Sequence, residues 1–367
     1  MTVYIQSETW SVQGAGRSRH GSRISSETFA HNAHDGIGDV TRPLRLTLSD
    51  LDLQAAEYNR LVAQSLEVDR FCSSTHWIIP AHQAFSGNRQ PWILRLESGY
   101  VALAVGYRLP LGMVLEPLEA IWGLACPFVS QAPEQLVAEF ARHHLASRRT
   151  RIPLLLSGLR RDGVVFQHLW RYLSSQMRLI IGRTTRSFRA SLEGGEDGFL
   201  SRRTPRFRTN LRRSQRLGQQ EGIAFETFTH FESWSEILAL YRRIVQIEAG
   251  SWKGQAGTGL GEPAMEDFYH RMLARIWQEQ SLRVIIARKD GEDVGFVFGA
   301  IFQDCYRGLQ VSFDQRFARV SLGNLLQWEM IGLLAQEQCL LYDLGVEVAY
   351  KERWGEQVLE SVQLLAF

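Results

Sequence analysis

The sequence is poor in lysine, in paired cysteines and in long hydrophobic runs. Only three of its 41 basic residues are lysines, at positions 253, 289 and 351. Its four cysteines lie far apart and form no Cys-x-x-Cys pair, which argues against a structural zinc site or a disulfide framework. No run of about 18 apolar residues occurs, and the first residues lack the charged-then-apolar pattern of a secretion signal. These absences predict a soluble, cytoplasmic protein with no membrane span and no bound metal.

The charge balance and the length limit the partners and the number of domains. The formal net charge is only +2, so no global field draws the chain to DNA or to a membrane. With 367 residues, of which 45% are hydrophobic, the chain is long enough for two domains of ordinary size. A Gly-rich acidic break, EGGEDG, separates two halves. We therefore expect a partly ordered lead-in at 1–45, a first domain at 46–192 and a second domain at 193–367.

Hydrophobic periodicity predicts alternating helices and strands from Leu46 onward. Before that point, the only strand pattern is TVYIQ. In the first half, Ser49 is a candidate N-cap for a helix at LSDLDLQAAEYNRLVAQS, and Glu97-Ser98-Gly99 joins two strands. In the second half, two helices precede three antiparallel strands with turns at Asp290-Gly291 and Gln303-Asp304. A helix and two strands follow, an order typical of an α/β fold with a mixed sheet.

The junction SFDQRFARVSLGNLL, at 312–326, is the most informative stretch for chemistry. A strand ends there in a loop that carries Arg316 and Arg319. Ser321 is placed to cap the next helix, and Gly323 leaves the backbone bare in its first turn. Free N–H groups and the positive dipole end at a helix start bind anions, and glycine lets a phosphate come close. The spacing by itself also fits an ordinary capped helix after a loop.

The stretch RTPRFRTNLRRSQRLG, at 203–218, holds six arginines. Thr204 and Pro205 predict the start of a helix, and Gly218 predicts its end. One face of this helix carries Phe207 and Leu211, and the arginines spread over the opposite side. Such a wide, solvent-exposed spread of arginines differs from a narrow basic stripe that follows a nucleic-acid backbone. We expect the apolar face to join the two domains, and one or two arginines to reach a phosphate or carboxylate of a substrate.

Three segments of the second half resemble the FemAB/CelD-like branch of the GNAT acyltransferase superfamily. That branch shows S-W-K-G before a Gly-rich turn, a strand ending in Y-D, a loop leading to S-P-G at a helix start, and D-x-G…Y-K-x-x-[FW]-G near its end. The matching positions here are Ser251, Trp252, Lys253, Gly254, Phe313, Asp314, Ser321, Gly323, Asp343, Gly345, Tyr350, Lys351, Trp354 and Gly355. The arginine-rich helix is similar to the R-x-N-x-R-R helix of that branch, with matches at Arg208, Asn210, Arg212 and Arg213. The resemblance covers about residues 195–367. In the first half it is limited to the alternation of predicted helices and strands.

Two positions depart from the pattern of that branch. Leu322 stands where proline is usual, which leaves the helix start intact because proline is only preferred there. Phe313 replaces the usual tyrosine, so any role of that hydroxyl is absent. Two of the three lysines, Lys253 and Lys351, nevertheless fall inside the matching motifs, which an arginine-biased composition would not produce by drift.

The resemblance implies an α/β fold of tandem GNAT-like domains, each a mixed, mostly antiparallel twisted sheet flanked by helices. The first domain would form the acceptor side and the second the acyl-donor side. Acyl-CoA would serve as a co-substrate, with no cofactor bound permanently. Its pyrophosphate would lie on the loop and helix start after the fourth strand. The implied donor-binding residues are Val311, Arg316, Arg319, Ser321, Leu322, Gly323 and Asn324.

The implied reaction is direct attack of an amine on the thioester carbonyl, in which a base removes a proton and an N–H donor holds the oxyanion. Three carboxylates lie in or next to the motifs: Asp314, Glu248 and Asp343. Asp314 is the preferred base because it ends the strand that would line the thioester. Glu248 is expected on a solvated helix surface, and a water chain is an alternative base.

The remaining motif residues have two interpretations each. Tyr350 would return a proton to the leaving thiolate, or simply pack. Lys351 would contact a phosphate or the acceptor's carboxylate, or pair at the surface with Glu347 or Glu352. Tryptophans would form walls of the substrate pocket, or lie in the core. The implied substrate-binding set is Trp252, Lys253, Asp343, Trp354 and Arg212.

Three functions remain open from the sequence. The first is an N-acyltransferase that moves an acyl group from acyl-CoA, or from an acyl carrier protein, to a primary amine of a small molecule, an amino sugar or a peptide. The second uses aminoacyl-tRNA, as FemAB-type relatives do; the small net charge and the lack of a long basic face argue against it. The third is a non-catalytic binding module, against which the complete ending from Asp343 to Gly355 argues.

Overall fold

The computed structural model describes residues 43–65, 67–146, 151–251 and 259–367. Nearly all of the predicted lead-in, including TVYIQ, lies outside these ranges, as do Trp252, Lys253 and Gly254. The elements of the first half are β1 (Leu44–Leu46), α1 (Leu48–Leu53), α2 (Ala55–Gln64), α3 (Arg70–Ser73), α4 (Thr75–Phe85), β2 (Gln90–Leu96), β3 (Gly99–Arg108), β4 (Gly112–Pro117), β5 (Phe128–Ser130), α5 (Pro133–Leu145), β6 (Leu154–Arg160), α6 (Val164–Leu173) and β7 (Leu179–Ser191).

The second half begins with two helices, the second of which contains the arginine-rich stretch, and it ends with a strand. Its elements are α7 (Gly195–Ser201), α8 (Pro205–Gln220), β8 (Ala224–Phe228), α9 (Trp234–Ala249), α10 (Pro263–Gln278), β9 (Leu282–Lys289), β10 (Glu292–Phe302), β11 (Cys305–Phe313), a 3-10 turn (Gln315–Val320), α11 (Leu322–Gln336), β12 (Leu341–Val346), a second 3-10 turn (Lys351–Arg353) and β13 (Gln357–Ala366). The predicted order of helices, meander, helix and two strands is confirmed. The turn at Asp290-Gly291 has positive φ at both residues, as a two-residue hairpin turn of this type requires.

The strands form one continuous mixed sheet. Its order is β1-β2-β3-β4-β6-β13-β7-β12-β11-β10-β9-β8, and β5 pairs with β3. Among the described strands, only β4 with β6 and β11 with β12 run parallel, and the other pairs are antiparallel. The predicted fold class, a mixed and mostly antiparallel sheet flanked by helices, is confirmed.

The C-terminal strand connects the two halves. Strand β13 pairs with β6 on one side and with β7 on the other, so residues 357–366 lie within the part of the sheet built by the first half. Strand β7 pairs in turn with β12 through residues 187–191. The division into domains at 192 and 193 stays a prediction, because the two halves share their central strands.

Helices cover both faces of the sheet in the second half. On β9, Val284 and Ile286 belong to a core that also holds the apolar sides of α9 and α10. The alternate residues Ile285 and Ala287 belong to a second core with α8 and α11. Successive side chains of a strand point to opposite faces of the sheet. Because helices cover both faces here, β9 is apolar at consecutive positions.

An aromatic cluster packs the first half against the second. Trp77 on α4 and Trp122 both contact Phe268 of α10, with ring centroids 5.0 Å apart in each pair, and Phe85 contacts Trp122 at 5.3 Å. The expectation that α8 joins the halves is wrong. Its apolar face packs instead on α11 and on the 3-10 turn of its own half.

Several local predictions need correction. Thr47, rather than Ser49, caps α1, and it exchanges hydrogen bonds with Asp50 in a capping box. Thr204 and Pro205 do start α8, but the helix continues through Gly218 to Gln220. Gly218 faces α11, where a β-carbon would lie 2.7 Å from Leu325 Cδ1. The acidic glycine-rich break contains the short helix α7, and the helix α4 was not predicted from the sequence.

Candidate active site

Strands β11 and β12 separate soon after they meet. They pair in parallel at only three positions, from Cys305 with Leu341 to Arg307 with Asp343. Strand β11 then continues to Phe313, while β12 bends at a bulge beside Gly345, whose φ is +78°. Helix α11 connects the two strands and begins beyond the end of β11. Backbone groups on the facing edges are therefore left without a neighbouring strand, and an opening forms in the sheet.

The predicted anion loop lies at the rim of this opening. Asp314 caps the 3-10 turn by accepting a hydrogen bond from the Arg316 backbone N–H at 2.8 Å, and its carboxylate also binds the Arg316 side chain. The side chains of Arg316 and Arg319 are 65% and 80% exposed, and each pairs with a surface glutamate. The loop thus presents two arginine side chains at the surface beside a helix start.

The expected cap of α11 is wrong. Ser321 adopts a left-handed conformation, with φ 56° and ψ 49°, and within the described chain its side chain makes no capping hydrogen bond. Its backbone carbonyl instead accepts from Asn324 N at 2.8 Å. The first amides of an α-helix have no partner inside the helix, so the helix start keeps its attraction for anions without a serine cap.

The ring of Phe313 leaves no room for a side chain at Gly323. A β-carbon at this position would lie 2.9 Å from Cε1 of Phe313, closer than two carbons can approach. The space predicted for a phosphate next to the Gly323 α-carbon is therefore taken by Phe313. Leu322 is fully buried in the second core, and Val311 pairs with Val297 along β10.

Asp314 is poorly suited to act as a base. Partial burial would raise the pKa of Asp314, but hydrogen bonds and charge from Arg316 outweigh that effect and hold the pKa below its usual value. A general base works best with a pKa near the working pH. Asp314 does follow the last residue of β11, so its role as the base stays a prediction, and its lowered pKa argues against that role.

Glu248 is buried, in contrast to the solvated position expected from the sequence. It lies in the last turn of α9 with 2% of its surface exposed, and it accepts a hydrogen bond from the Leu260 backbone N–H. Two tyrosines lie close by: Tyr241 donates to Leu260 O at 3.0 Å, and Tyr269 accepts from Gln310 Nε2 at 3.1 Å. Burial comes first among the causes that raise the pKa of both phenols, and the charge of Glu248 adds to it. A carboxylate and two neutral phenols thus line the helix-covered side of β11.

A cluster of buried charges lies where β11 and β12 part. Arg307 is 1% exposed, and its Nη1 contacts Asp69 at 2.5 Å and Asp343 at 3.1 Å. Asp343 also accepts from Arg189 Nε at 3.0 Å and from Gly345 N at 2.8 Å. Burial would raise the pKa of Asp343, but Arg307 and Arg189 lower it below its ordinary value. Both carboxylate oxygens are engaged within the protein, and the predicted role of Asp343 in contacting substrate stays a prediction.

Lys351 and Tyr350 lie next to this cluster. Lys351 is 4% exposed, and its Nζ donates to Val346 O at 3.0 Å. The alternative of a surface pair is wrong, because Lys351 is buried and Glu347 pairs instead with Arg186. Tyr350 packs against the second core, and burial raises its pKa to about 12. Its phenol is therefore protonated at neutral pH and able to donate a proton.

The other predicted substrate residues are spread out. Trp354 is 2% exposed and packs edge-on against Phe207 at 5.0 Å, so it is a core residue rather than a pocket wall. Arg212 lies on the exposed side of α8. Trp252 and Lys253 lie outside the described residues. Glu248 lies on the face of the sheet covered by α9 and α10, Tyr350 packs against the second core on the other face, and Arg212 lies at the surface.

Sequence reasoning missed Arg307, Asp69 and Arg189 of the charged cluster, and it missed Tyr269 and Gln310 near Glu248. Arg307 carries a signal in retrospect, because an arginine interrupts the apolar strand CYRGLQVSF. A charged residue inside such a strand is buried only when it is paired. Tyr269 and Gln310 give no such signal, since a helix and a strand each tolerate them at the surface.

The first half also contains a parallel strand pair, but a side chain of the protein itself occupies the loop that follows the first of the two strands. Strands β4 and β6 pair at only one position, Leu115 with Leu154. In the loop after β4, the buried carboxylate of Glu119 accepts from four backbone N–H groups, at 2.6 Å from Trp122, 3.2 Å from Gly123, 2.9 Å from Leu124 and 3.2 Å from Ala125. An internal carboxylate thus occupies the amides that could hold an external anion.

A large cleft lies elsewhere and contains none of the predicted site residues. It has a volume of about 1420 Å³ and is lined by α2 and by the residues that follow α11, including Glu337 and Leu340. Within the described ranges, no helix is long and apolar enough to cross a membrane. The same part of the chain contains no group of three or more His, Cys, Asp or Glu side chains placed to hold a metal ion.

Solved structures share this fold. FemX is 10% identical with a TM-score of 0.59 and covers 88% of this chain and 97% of its own. A conserved protein of unknown function from Bacteroides thetaiotaomicron is 11% identical with a TM-score of 0.57, covering 89% and 99%. The C-terminal domain of a protein described as a lysylphosphatidylglycerol synthetase, from Agrobacterium fabrum, is 13% identical with a TM-score of 0.53, covering 86% and 91%. No curated protein matches the chain.

The sheet thus has an opening between β11 and β12, with a helix start at its rim. Residues 205–354 match the family model of the acetyltransferase (GNAT) domain. That match covers less than half of the chain, and most of the chain shares the fold of FemX.

Proposed function

We propose that the protein is an N-acyltransferase that moves an acyl group from a coenzyme A thioester to a primary amine by direct attack. The observation that carries this proposal is the opening between β11 and β12. It has exposed arginines and a helix start at its rim, and buried polar side chains along its walls. The acyl thioester enters from the rim, and the amine approaches from the side of α9 and α10.

The rim holds the phosphates of the donor. Arg316 and Arg319 are exposed there, and each is paired only with surface carboxylates in the described chain. Surface pairs of this kind are weak, so a pyrophosphate replaces them at small cost. The amide of Gly323, with the dipole of α11, adds to the attraction, while the backbone of Val311 runs beside the pantetheine arm.

Glu248 acts as the base in this proposal. Its carboxylate is buried, whereas that of Asp314 is fixed by Arg316 in a cap. Glu248 takes the proton from the attacking amine, and a backbone N–H on the free edge of β11 holds the oxyanion. Tyr350 returns a proton to the thiolate that leaves. The atoms balance: an N–C bond forms, a C–S bond breaks, and the amine proton ends on the thiol after transfer through Glu248 and Tyr350.

A second candidate uses a charged tRNA or a carrier protein as the donor. The observation that favours it is the exposed side of α8, which carries Arg206, Arg212, Arg213 and Arg216 and packs beside the 3-10 turn of the donor loop. A basic surface of this kind attracts a phosphate backbone or an acidic protein. It would contact the part of such a donor that extends beyond its thioester or ester.

Intact-mass screening tests these candidates together. The wild-type protein is incubated with a panel of amines and with acetyl-CoA, longer acyl-CoAs, acyl carrier proteins or aminoacyl-tRNA, and the mass gain of the amine is recorded. Acylation from CoA thioesters supports the first candidate. Acylation only from carrier proteins or charged tRNA contradicts it in favour of the second, and no transfer from any donor contradicts both.

The role of Glu248 has its own test. Glu248→Gln is expected to lower kcat by about 10²–10⁴-fold, the range for loss of a general base, without changing the Kd of CoA. Glu262→Gln is the matched control, because this nearby glutamate is exposed and its side chain caps nothing in the described chain. An unchanged kcat in Glu248→Gln would remove Glu248 from the mechanism.

A further inference from the structure

We infer that Tyr241 is a positioning residue, which holds the proposed base Glu248 in place through the backbone of Leu260. This inference rests on the proposed N-acyltransferase function, because it concerns the base of that same reaction. Tyr241 and Glu248 both belong to the buried stripe of α9 and lie seven residues apart, which is about two helical turns. The two side chains therefore leave the helix on the same side.

Leu260 is held at both polar groups of its backbone. Its carbonyl accepts a hydrogen bond from the Tyr241 hydroxyl at 3.0 Å, and its N–H donates to Oε2 of Glu248. Tyr241 and Glu248 are each 2% exposed, and Leu260 is 1% exposed. Bulk water therefore replaces neither bond, and the phenol fixes the residue whose amide meets the carboxylate.

The carboxylate of Glu248 needs this amide. Glu248 lies in the last turn of α9, where the negative end of the helix dipole repels an anion. Its burial also removes the water that would solvate a charge, so hydrogen-bond donors from the protein have to replace that water. The Leu260 N–H is such a donor, and its position depends on the segment that precedes α10.

Tyr241 is suited to hold that segment. Burial, the largest cause, raises the pKa of Tyr241 above its usual value, so the hydroxyl keeps its proton at neutral pH and stays a donor. Its ring packs edge-on against His270 with centroids 5.0 Å apart, and against Tyr269 at 6.2 Å. Both neighbours lie on α10. A ring that is already fixed loses little further entropy when its hydroxyl forms a hydrogen bond.

The consequence for the reaction is a base with a fixed position. A displacement of a catalytic group by about 1 Å can cost about 10²-fold in rate. Loss of the Tyr241 hydroxyl frees the Leu260 carbonyl and loosens the amide that holds Glu248. The effect belongs to the step in which Glu248 takes the amine proton, and the binding of the donor at the rim is independent of it.

The first experiment needs no turnover. Amide hydrogen exchange of Leu260 is followed by NMR in the wild-type protein, in Tyr241→Phe and in Tyr58→Phe. Phenylalanine keeps the ring of Tyr241 and removes the hydroxyl, so the Leu260 amide should exchange at least about fivefold faster, the scale of one lost hydrogen bond. Tyr58→Phe is the matched control and should change nothing, because Tyr58 is fully buried on α2 and its hydroxyl has no partner in the described part of the chain.

The second experiment places Tyr241 in the reaction. The kcat and the KM of acetyl-CoA are measured, with an amine that gains mass in the screen, for the wild-type protein, Tyr241→Phe, Glu248→Gln and the double variant. Tyr241→Phe should lower kcat by about fivefold to tenfold and leave KM unchanged. In the Glu248→Gln background the same substitution should have no further effect, because the hydroxyl acts through the carboxylate.

The outcomes separate this inference from the proposed function. Equal exchange of the Leu260 amide in Tyr241→Phe and the wild-type protein would overturn the inference. So would an equal fall in kcat with and without the Glu248 carboxylate, since that result indicates a purely structural role. Faster exchange together with a loss of kcat that requires Glu248 supports it. Faster exchange with no acylation of any amine contradicts the proposed function, and with it the role of Tyr241 in positioning a base.

Discussion

Replacing Glu119 by glutamine is expected to destabilise the protein by about 2–6 kcal/mol. The carboxylate of Glu119 is 1% exposed and accepts from the backbone N–H groups of residues 122, 123, 124 and 125. Each carboxylate oxygen takes two of these donors. A glutamine keeps one oxygen and turns an NH2 group toward the other two N–H groups, so two buried donors lose their acceptor at about 1–3 kcal/mol each.

Equilibrium unfolding in urea measures this loss. Glu97→Gln is the matched control, because Glu97 is exposed at the turn between β2 and β3 and should change the free energy of unfolding by less than about 0.5 kcal/mol. If Glu119→Gln unfolded like the control, the four amides would be satisfied without the carboxylate. The interpretation that Glu119 is the main acceptor for these amides would then be wrong.

Two further predictions concern the second half. Gly323→Ala should lower the free energy of unfolding by about 1–3 kcal/mol through overpacking against the Phe313 ring. Gly250→Ala should not, because its β-carbon would make only an ordinary contact, 3.6 Å from Ile247 O, and φ is −78°. Equal stability of the two variants in urea would contradict the contact between Gly323 and Phe313. Because the pKa of Asp343 is lowered in the folded state, its ionised form stabilises the protein above its unfolded pKa of about 3.9, and this contribution is lost as pH falls toward the folded pKa. Asp343→Asn should therefore be less stable than wild type at pH 7, and the difference should shrink between about pH 5 and pH 2; a constant difference over that range would contradict the assignment.

Local patterns predicted the second half well. The meander of β9, β10 and β11 follows from apolar strands separated by Asp290-Gly291 and Gln303-Asp304, and both turns need only neighbouring residues. The start of α8 likewise depends on Thr204 and Pro205 alone. These turns and this helix start depend on residues that are close together in the sequence, so local patterns are enough to predict them.

Features set by distant contacts were not predicted. Helix α4 has Pro80 inside it and is buried on nearly every side, so its sequence shows no amphipathic period. Glu248 looks like a surface residue of α9, and only the chain near Leu260 buries it. Gly323 was assigned to a phosphate because no local pattern reveals that Phe313 packs against it.

The candidate site was predicted in part for the same reason. Lys351 and Tyr350 were found through a motif, but their burial depends on the fold around them. Asp343 was assigned to the substrate, whereas Arg189 and Arg307 already engage it from two other strands. The roles of these residues in catalysis stay predictions until variants are measured.

Isothermal titration calorimetry of coenzyme A binding tests the central claim most directly. We expect one equivalent per chain for the wild-type protein and for Arg171→Glu, an exposed control on α6. The double variant Arg316→Glu, Arg319→Glu should bind at least about tenfold more weakly, since two phosphate contacts become repulsive. Two equivalents per chain, or equal affinity of the double variant and the control, would contradict a donor site at the rim between β11 and β12.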